Sequence, residues 1–75
     1  MGRLAGFNGR EVRRVAEKSG WEHLRTSGDH FHYSKPDNPL NLSIPDHWAV
    51  AVGTLRQIIK TMGLTVDEFL KLARK

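Results

Sequence analysis

The stretch that decides the fold is Ser27-Gly28-Asp29-His30-Phe31-His32-Tyr33, in which a glycine turn leads into alternating histidine and aromatic residues. Successive side chains of a β-strand point to opposite faces of the sheet. A strand here therefore places Phe31 and Tyr33 on one face and the two histidines on the other. The aromatic pair suits a hydrophobic core, while the histidine pair faces outward. Because histidine can give or take a proton near neutral pH, the outer face is a candidate functional surface.

One further strand is predicted on each side of this stretch, with turns rich in glycine, proline and asparagine between the strands. The first strand covers residues 22–26. The sequence does not decide which face of this strand is buried, because Leu24 favours one alternation and Trp21 the other. The third strand covers residues 40–44, where apolar and polar residues alternate, and Pro45 is expected to stop it.

A helix is predicted before the strands, over residues 9–19. Asn8 and Glu11 have the spacing of a capping box at its start, and Gly20 suits the position after its end. Apolar residues recur inside it at helical spacing. Its polar face carries Arg10, Arg13, Arg14 and Lys18. These cations are either an ordinary solvated face or part of a phosphate-contacting surface.

A second helix is predicted after the strands, opening at Gly53 with Thr54 as its N-cap and closing at Gly63. Thr65 and Glu68 form a second capping box, which predicts a short terminal helix. The fold class is therefore α+β, as one αβββα domain over residues 1–75 with both helices packed on one face of an antiparallel sheet. The open face then carries His30, His32, Asn41 and Ser43.

Charge and composition indicate which classes of partner the protein binds. Among 75 residues, 12 Lys and Arg against 8 Asp and Glu give a formal net charge of +4, which favours nucleic acid first and an acidic protein or anionic membrane second. The absence of cysteine excludes disulfides and thiolate metal sites. No apolar run approaches the roughly 18 residues of a membrane span, and the N-terminus lacks a signal-peptide pattern. The protein is predicted to be soluble and cytoplasmic, without a membrane partner.

The histidines have a metal-binding alternative. His30 and His32, with His23 or His47, have a ligand chemistry that suits zinc, although no cysteine reinforces the pattern. The favoured interpretation assigns no metal and no cofactor. His47, which closely follows Pro45, is expected to order the turn by hydrogen bonding.

The segment before the second helix is apolar without clear periodicity. Trp48, Val50 and Val52 are interpreted first as core or helix-packing residues. If they are exposed instead, they form an apolar patch of the kind that marks a protein-binding site.

Several short motifs stand in a fixed order along the chain. They are Gly20-Trp21, Gly28-Asp29-His30, Ile44-Pro45-Asp46-His47, Gly53-Thr54-Leu55 with Ile58, Gly63-Leu64 and Glu68-Phe69. In this order and spacing they resemble the HicA family, the small toxins of toxin–antitoxin pairs, over nearly the whole chain. The chain departs from the family at Asp29, where a serine or threonine is usual, and at Ser27 and Val52, where lysines are common.

The resemblance implies a fold like that of a double-stranded-RNA-binding domain and the activity of a ribosome-independent mRNA interferase, neutralised by a HicB-type antitoxin. The family's catalytic histidine falls on His30. An exposed patch at Trp48, Val50 and Val52 would be the natural place for the antitoxin. The alternative is a non-catalytic RNA-binding module on the same fold, which Asp29 and the missing lysines favour.

RNA carries its own nucleophile, the 2′-hydroxyl, so one histidine with nearby cations can cleave it without a metal. His30 would transfer the proton, and His32 on the same face would assist it. Arg25 and Lys35 are the basic residues nearest in sequence and are candidates for binding the RNA phosphate. Gly28 would let the backbone approach the RNA closely.

Overall fold

The computed structural model describes residues 3–74, which form six elements. In chain order these are α1 (Gly9–Lys18), β1 (Glu22–Ser27), β2 (His30–Lys35), β3 (Asn38–Pro45), α2 (Val52–Met62) and α3 (Val66–Ala73). The three strands form one antiparallel sheet in the order β1-β2-β3. The predicted α+β architecture, with a short extra helix at the C-terminal end, is confirmed.

Helix α1 begins and ends where its sequence predicts. The Asn8 side chain accepts a hydrogen bond from the Glu11 backbone N–H at 2.8 Å, and the Glu11 carboxylate accepts one from the Asn8 N–H at 2.9 Å. The chain leaves the helix through Gly20, whose φ of +93° is a left-handed conformation that glycine adopts without strain. Trp21 then folds back and is buried against the helix end.

Helix α2 begins at Val52, one residue before the predicted opening at Gly53, and its N-cap lies three residues before the predicted one. Its N-cap is Ala51, which makes no side-chain capping bond, and Gly53 and Thr54 lie within the first turn. The predicted N-cap role of Thr54 is therefore wrong, because the backbone of residues 52–54 is already helical and the Leu55 N–H donates to the Ala51 carbonyl. The predicted end at Gly63 is confirmed by its left-handed φ of +77°.

The second capping box is also present. The Thr65 hydroxyl accepts from the Glu68 N–H, and the Glu68 carboxylate accepts from the Thr65 N–H. Helix α3 packs against α1 and α2 and places Phe69 in the core, where its ring meets Phe7 edge-on at a centroid distance of 5.1 Å.

Strand β3 is longer than predicted, because it includes Asn38, Pro39 and Pro45. The turn before it shrinks to Pro36-Asp37, with Asp37 at a φ of +66°. Since β3 is an edge strand, its prolines need not donate a ladder hydrogen bond. The prediction that Pro45 stops the strand is correct to within one residue.

Strand β1 contains a bulge that explains its ambiguous alternation. The pairing with β2 shifts between His23 and Arg25, so that His23 pairs with Tyr33 while Arg25 pairs with His32. No residue of β1 is buried, and Leu24 is half exposed. A single strict alternation therefore cannot describe this strand.

The core lies between the sheet and the helices. Tyr33 from β2 and Leu42 and Ile44 from β3 face the helices and are almost completely buried. The side chains that meet them from the helices and loops are Leu4, Val12, Val15, Ala16, Trp21, Val50, Leu55, Ile58, Ile59, Met62 and Phe69. The opposite face of the sheet, which carries His30, stays open.

Candidate functional site

Three segments meet at one end of the molecule. They are the β1–β2 turn at Gly28-Asp29, the end of β3 with the loop that follows it, and the first turn of α1. The Asp46 N–H donates to the Asp29 carbonyl at 2.7 Å, and the Gly9 N–H donates to the His47 carbonyl at 2.9 Å. These two backbone bonds hold residues that lie far apart in the sequence against one another.

Gly9 fits this junction because it has no side chain. A Cβ atom at this position would overlap the carbonyl oxygen of Pro45 and would also crowd Asp46. The first turn of α1 can therefore lie directly on the end of β3. The pairing of His30 with Pro45 brings the loop carrying His47 to the β1–β2 turn.

Asp29 lies between two histidines. One carboxylate oxygen, Oδ1, is 3.0 Å from Nδ1 of His30, and the other, Oδ2, is 3.2 Å from Nε2 of His47. The two imidazole rings have their centroids 6.4 Å apart. These three side chains are called the Asp29 cluster below. The bond to Asp29 also bears out the expectation that His47 orders its turn by hydrogen bonding.

The Asp29 cluster is open to solvent and keeps its carboxylate charged. The side chains of Asp29, His30 and His47 are 62%, 47% and 52% exposed, so a large substrate can reach them. The hydrogen bond from His47 lowers the pKa of Asp29, and the Asp29 backbone N–H and the nearby charges of both histidines lower it further. At neutral pH, Asp29 is therefore an anion in contact with Nδ1 of His30.

His32 and Arg25 lie beside the cluster on the open face. His32 is two residues from His30 on the same strand, and Arg25 pairs with His32 across the sheet. Gly28 has a φ of +60°, and nothing lies within 4 Å of the position where a Cβ would be. Four predicted site residues, namely Arg25, Gly28, His30 and His32, therefore share one face or the turn at its end.

Lys35 lies apart from them. It follows His30 by five residues, which is about 16 Å along a strand, and its odd position places it on the helix side of the sheet. Its Nζ is 5.9 Å from the centre of the Trp21 ring. The structure does not bring Lys35 to His30.

Trp48 is not a core residue. Its predicted packing role is wrong, because 93% of its surface is exposed, whereas Val50 two residues later is buried. Segment 46–51 forms neither helix nor strand, so apolar character alone did not indicate which side chain points inward.

The same end of the molecule has a cleft that sequence reasoning missed. Its volume is about 300 Å³, and it is lined by Asn8, Arg10, Asp46, His47 and Trp48. The cleft adjoins the Asp29 cluster through His47. Only the Pro45-Asp46-His47 motif pointed to this region, and nothing in the sequence linked it to Arg10.

Two further observations concern a metal site and a membrane span. Within residues 3–74, no three histidine, aspartate or glutamate side chains are arranged to hold a metal ion, so the zinc alternative gains no support. Among the helices described, none is long and apolar enough to cross a membrane.

Comparison with known proteins gives one clear result. No individual curated protein is similar enough to count as a match. The model of one protein family, the HicA toxin of bacterial toxin–antitoxin systems, matches residues 9–64. This span covers most of the chain and includes α1, the whole sheet, α2 and the Asp29 cluster. The chain therefore belongs to the HicA family, as the toxin of a toxin–antitoxin pair whose other member is an antitoxin.

Proposed function

We propose that the protein is a metal-independent endoribonuclease that cleaves mRNA without the ribosome, and that His30 transfers the proton. The observation that carries this proposal is the Asp29 cluster, in which an exposed histidine has a carboxylate 3.0 Å from its Nδ1. The catalytic unit is a single domain spanning residues 1–75. It acts in the cytoplasm, where mRNA is available.

The reaction needs two proton movements at one phosphate. The 2′-oxygen of the RNA loses its proton and bonds to the adjacent phosphorus, while the bond from phosphorus to the 5′-oxygen breaks and that oxygen gains a proton. A histidine whose second nitrogen is free can act as the base in the first movement. In His30 that nitrogen is Nε2, since Nδ1 faces Asp29.

Asp29 contributes by fixing the state of His30. A carboxylate next to Nδ1 favours the tautomer that carries its proton there and leaves Nε2 unprotonated. After His30 takes a proton, the same carboxylate stabilises the imidazolium. His47 holds the other carboxylate oxygen at 3.2 Å and is therefore a positioning residue.

Phosphate binding is assigned to the open face. Arg25 supplies the cation beside His32. Both side chains lie on the same face of the sheet as His30. A charged donor can hold a phosphate oxygen and stabilise the charge that develops there. Lys35 is left out of this phosphate site because it lies on the helix side.

The antitoxin in this proposal is a HicB-type protein that neutralises the toxin by covering the Asp29 cluster. The cluster is exposed and lies at one end of the molecule, so a partner can cover it without unfolding any element.

The test compares the wild type with His30→Ala and His23→Ala on a long RNA, with and without EDTA, on a denaturing gel. His23 is also an exposed strand histidine, but it contacts Tyr33 and Phe31 on the helix side. We expect the wild type and His23→Ala to cleave RNA in EDTA, and His30→Ala to lose a factor of about 10²–10⁴ in rate. Full cleavage by His30→Ala would show that the assignment is wrong.

A second candidate function is RNA binding without cleavage, in the manner of a double-stranded-RNA-binding domain. It is favoured by the charge of Asp29, which repels a phosphate approaching His30. The variant Asp29→Ser separates the two candidates. If Asp29 positions His30, this variant cleaves more slowly than the wild type. If Asp29 has inactivated the site, the wild type only shifts RNA on a native gel and the variant gains cleavage.

A further inference from the structure

We propose that the cleft beside the Asp29 cluster binds one nucleotide of single-stranded RNA, with the base stacked on Trp48 and its phosphate held by Arg10. This inference deepens the proposed function and takes RNA as the ligand from it. It adds a nucleotide site on α1 and the loop after β3, away from the open face of the sheet.

Trp48 is the first observation. Its indole is 93% exposed, whereas Trp21 is 2% exposed in the core. Leaving a large aromatic surface in water is unfavourable, and tryptophan is enriched on surfaces that bind other molecules. Nucleobases stack on aromatic rings without regard to sequence, because every base has a flat π face.

Arg10 is the second observation. It lines the same cleft and has no ion-pair partner among residues 3–74. Two other arginines are engaged, since Arg3 pairs with Asp67 and Arg13 donates to the Tyr33 hydroxyl. Because Arg10 and Trp48 line the same cleft, the unpaired guanidinium offers a phosphate contact next to a stacking surface.

The size and chemistry of the cleft favour a nucleotide over a protein segment. A volume of about 300 Å³ is at the small end for ligand sites and suits a single nucleotide. Aspartate is depleted at the centres of protein interfaces, whereas this lining includes Asp46. Since Asp46 is an anion, the phosphate is assigned to Arg10 and the base to Trp48.

The cleft is also continuous with the reacting groups. His47 lines it and at the same time donates to Asp29, which contacts His30. A nucleotide held at Trp48 therefore lies next to the phosphate that His30 would act on. Holding a neighbouring nucleotide in place is a general way to align a reacting bond.

The first experiment titrates the full-length protein with a short single-stranded 2′-O-methyl RNA, which binds but cannot be attacked by its own 2′-oxygen. Tryptophan fluorescence reports stacking, and anisotropy of a labelled RNA reports affinity. We expect the fluorescence to be quenched in the wild type. In Trp48→Phe, where only buried Trp21 remains, we expect no quenching but nearly unchanged affinity, because phenylalanine can still stack.

Two matched pairs of variants sharpen the test. Trp48→Ala should weaken RNA binding about tenfold, whereas Leu40→Ala, which removes another exposed apolar side chain, should not. Arg10→Gln should weaken binding and lower the salt dependence by about one phosphate contact. Arg74→Gln removes the same charge at the C-terminal end of α3, which lies beside the opposite end of α1 because Lys18 donates to the Leu72 carbonyl, and should leave both unchanged.

Unchanged RNA affinity in both Trp48→Ala and Arg10→Gln would overturn the nucleotide site, even if the wild type cleaves RNA. So would quenching of Trp48 by an antitoxin but not by RNA, since the surface would then be a protein-binding one. Quenching by RNA in a protein that never cleaves would support the site while removing the nuclease proposal. The binding readouts therefore separate the two failures.

Discussion

The two faces of strand β2 have opposite surroundings. Tyr33 and Phe31 point toward the helices, and Tyr33 is completely buried. His30 and His32 alternate with them along the same six residues and point to the open side. One strand therefore contributes to the core on one face and to the candidate site on the other, at a spacing of one residue.

On the helix side the Tyr33 hydroxyl of β2 has two fixed partners. The Tyr33 hydroxyl accepts from Arg13 at 2.9 Å and donates to Glu17 at 2.8 Å, and the Arg13 guanidinium lies 3.8 Å from the centre of the Phe31 ring. Burial raises the pKa of the Tyr33 phenol. Arg13 is therefore neither a solvated cation nor a phosphate contact.

On the open side the polar groups form a network that solvent and substrate can reach. His30 contacts Asp29, which His47 holds in turn, and all three stay about half exposed. A hydrogen bond from His47 lowers the pKa of Asp29, the reverse of what burial does to Tyr33. Substitutions on the two faces should therefore affect separate properties, namely stability on the helix side and chemistry on the open side.

The largest expected effect is the difference in stability between alanine substitutions on the two faces of β2. Tyr33→Ala removes a fully buried aromatic ring and should cost about 3–5 kcal/mol, comparable with the whole stability of a domain of this size. His30→Ala should change the free energy of unfolding by less than about 0.5 kcal/mol. Urea unfolding of both variants checks this, and the comparison breaks down if His30→Ala is the less stable of the two.

The next effect concerns the contact between the first turn of α1 and the end of β3. Gly9→Ala forces a Cβ onto the Pro45 carbonyl and should cost about 1–3 kcal/mol. Gly53→Ala in α2 meets no atom within 4 Å and should instead stabilise the protein by up to about 1 kcal/mol. Thermal unfolding of the pair measures the sign of each change. Equal shifts in Tm would contradict the close approach of α1 to β3.

A smaller effect is expected when only the Tyr33 hydroxyl is removed from the helix side. Tyr33→Phe keeps the ring in the core but removes the partner of Arg13 and Glu17, and should cost about 1 kcal/mol. The ordering of His30 on the other face should not change, so RNA cleavage should stay at the wild-type rate. Urea unfolding and the gel assay together check both expectations. A large fall in cleavage by folded Tyr33→Phe would show that the faces are coupled.

Much of the fold could be predicted because its signals are local. The capping boxes at Asn8 and Thr65 need only residues three apart, and the alternation through β2 needs only neighbours. The errors arise where distant contacts decide. The bulge after His23 and the early start of α2 at Val52 depend on how the strand and the helix pack, which no short pattern records.

The candidate site divides in the same way. His30, His32 and Arg25 were predicted from strand alternation, sequence proximity and family resemblance, and the structure places them on one face. Arg10 was predicted only as one of four cations on α1 that either face solvent or contact phosphate, and Trp48 first as a packing residue. They line one cleft because Gly9 lets α1 lie on the end of β3, and a juxtaposition across that sequence distance leaves no pattern.

The smallest effect tests the network of the open face through pH. Because His47 is the largest cause of the lowered Asp29 pKa, we expect NMR titration of the Asp29 carboxyl to give a midpoint below the ordinary value of 3.8. His47→Ala should raise that midpoint toward 3.8, and His23→Ala should leave it unchanged. A carboxyl with a lowered pKa in the folded state stabilises the protein above its unfolded pKa and loses that contribution as the pH falls through its folded value. The wild type should therefore lose slightly more stability than Asp29→Asn as the pH falls below about 4. A midpoint at or above 3.8 in the wild type would show that His47 does not hold Asp29, and the positioning of His30 by this pair would fall with it.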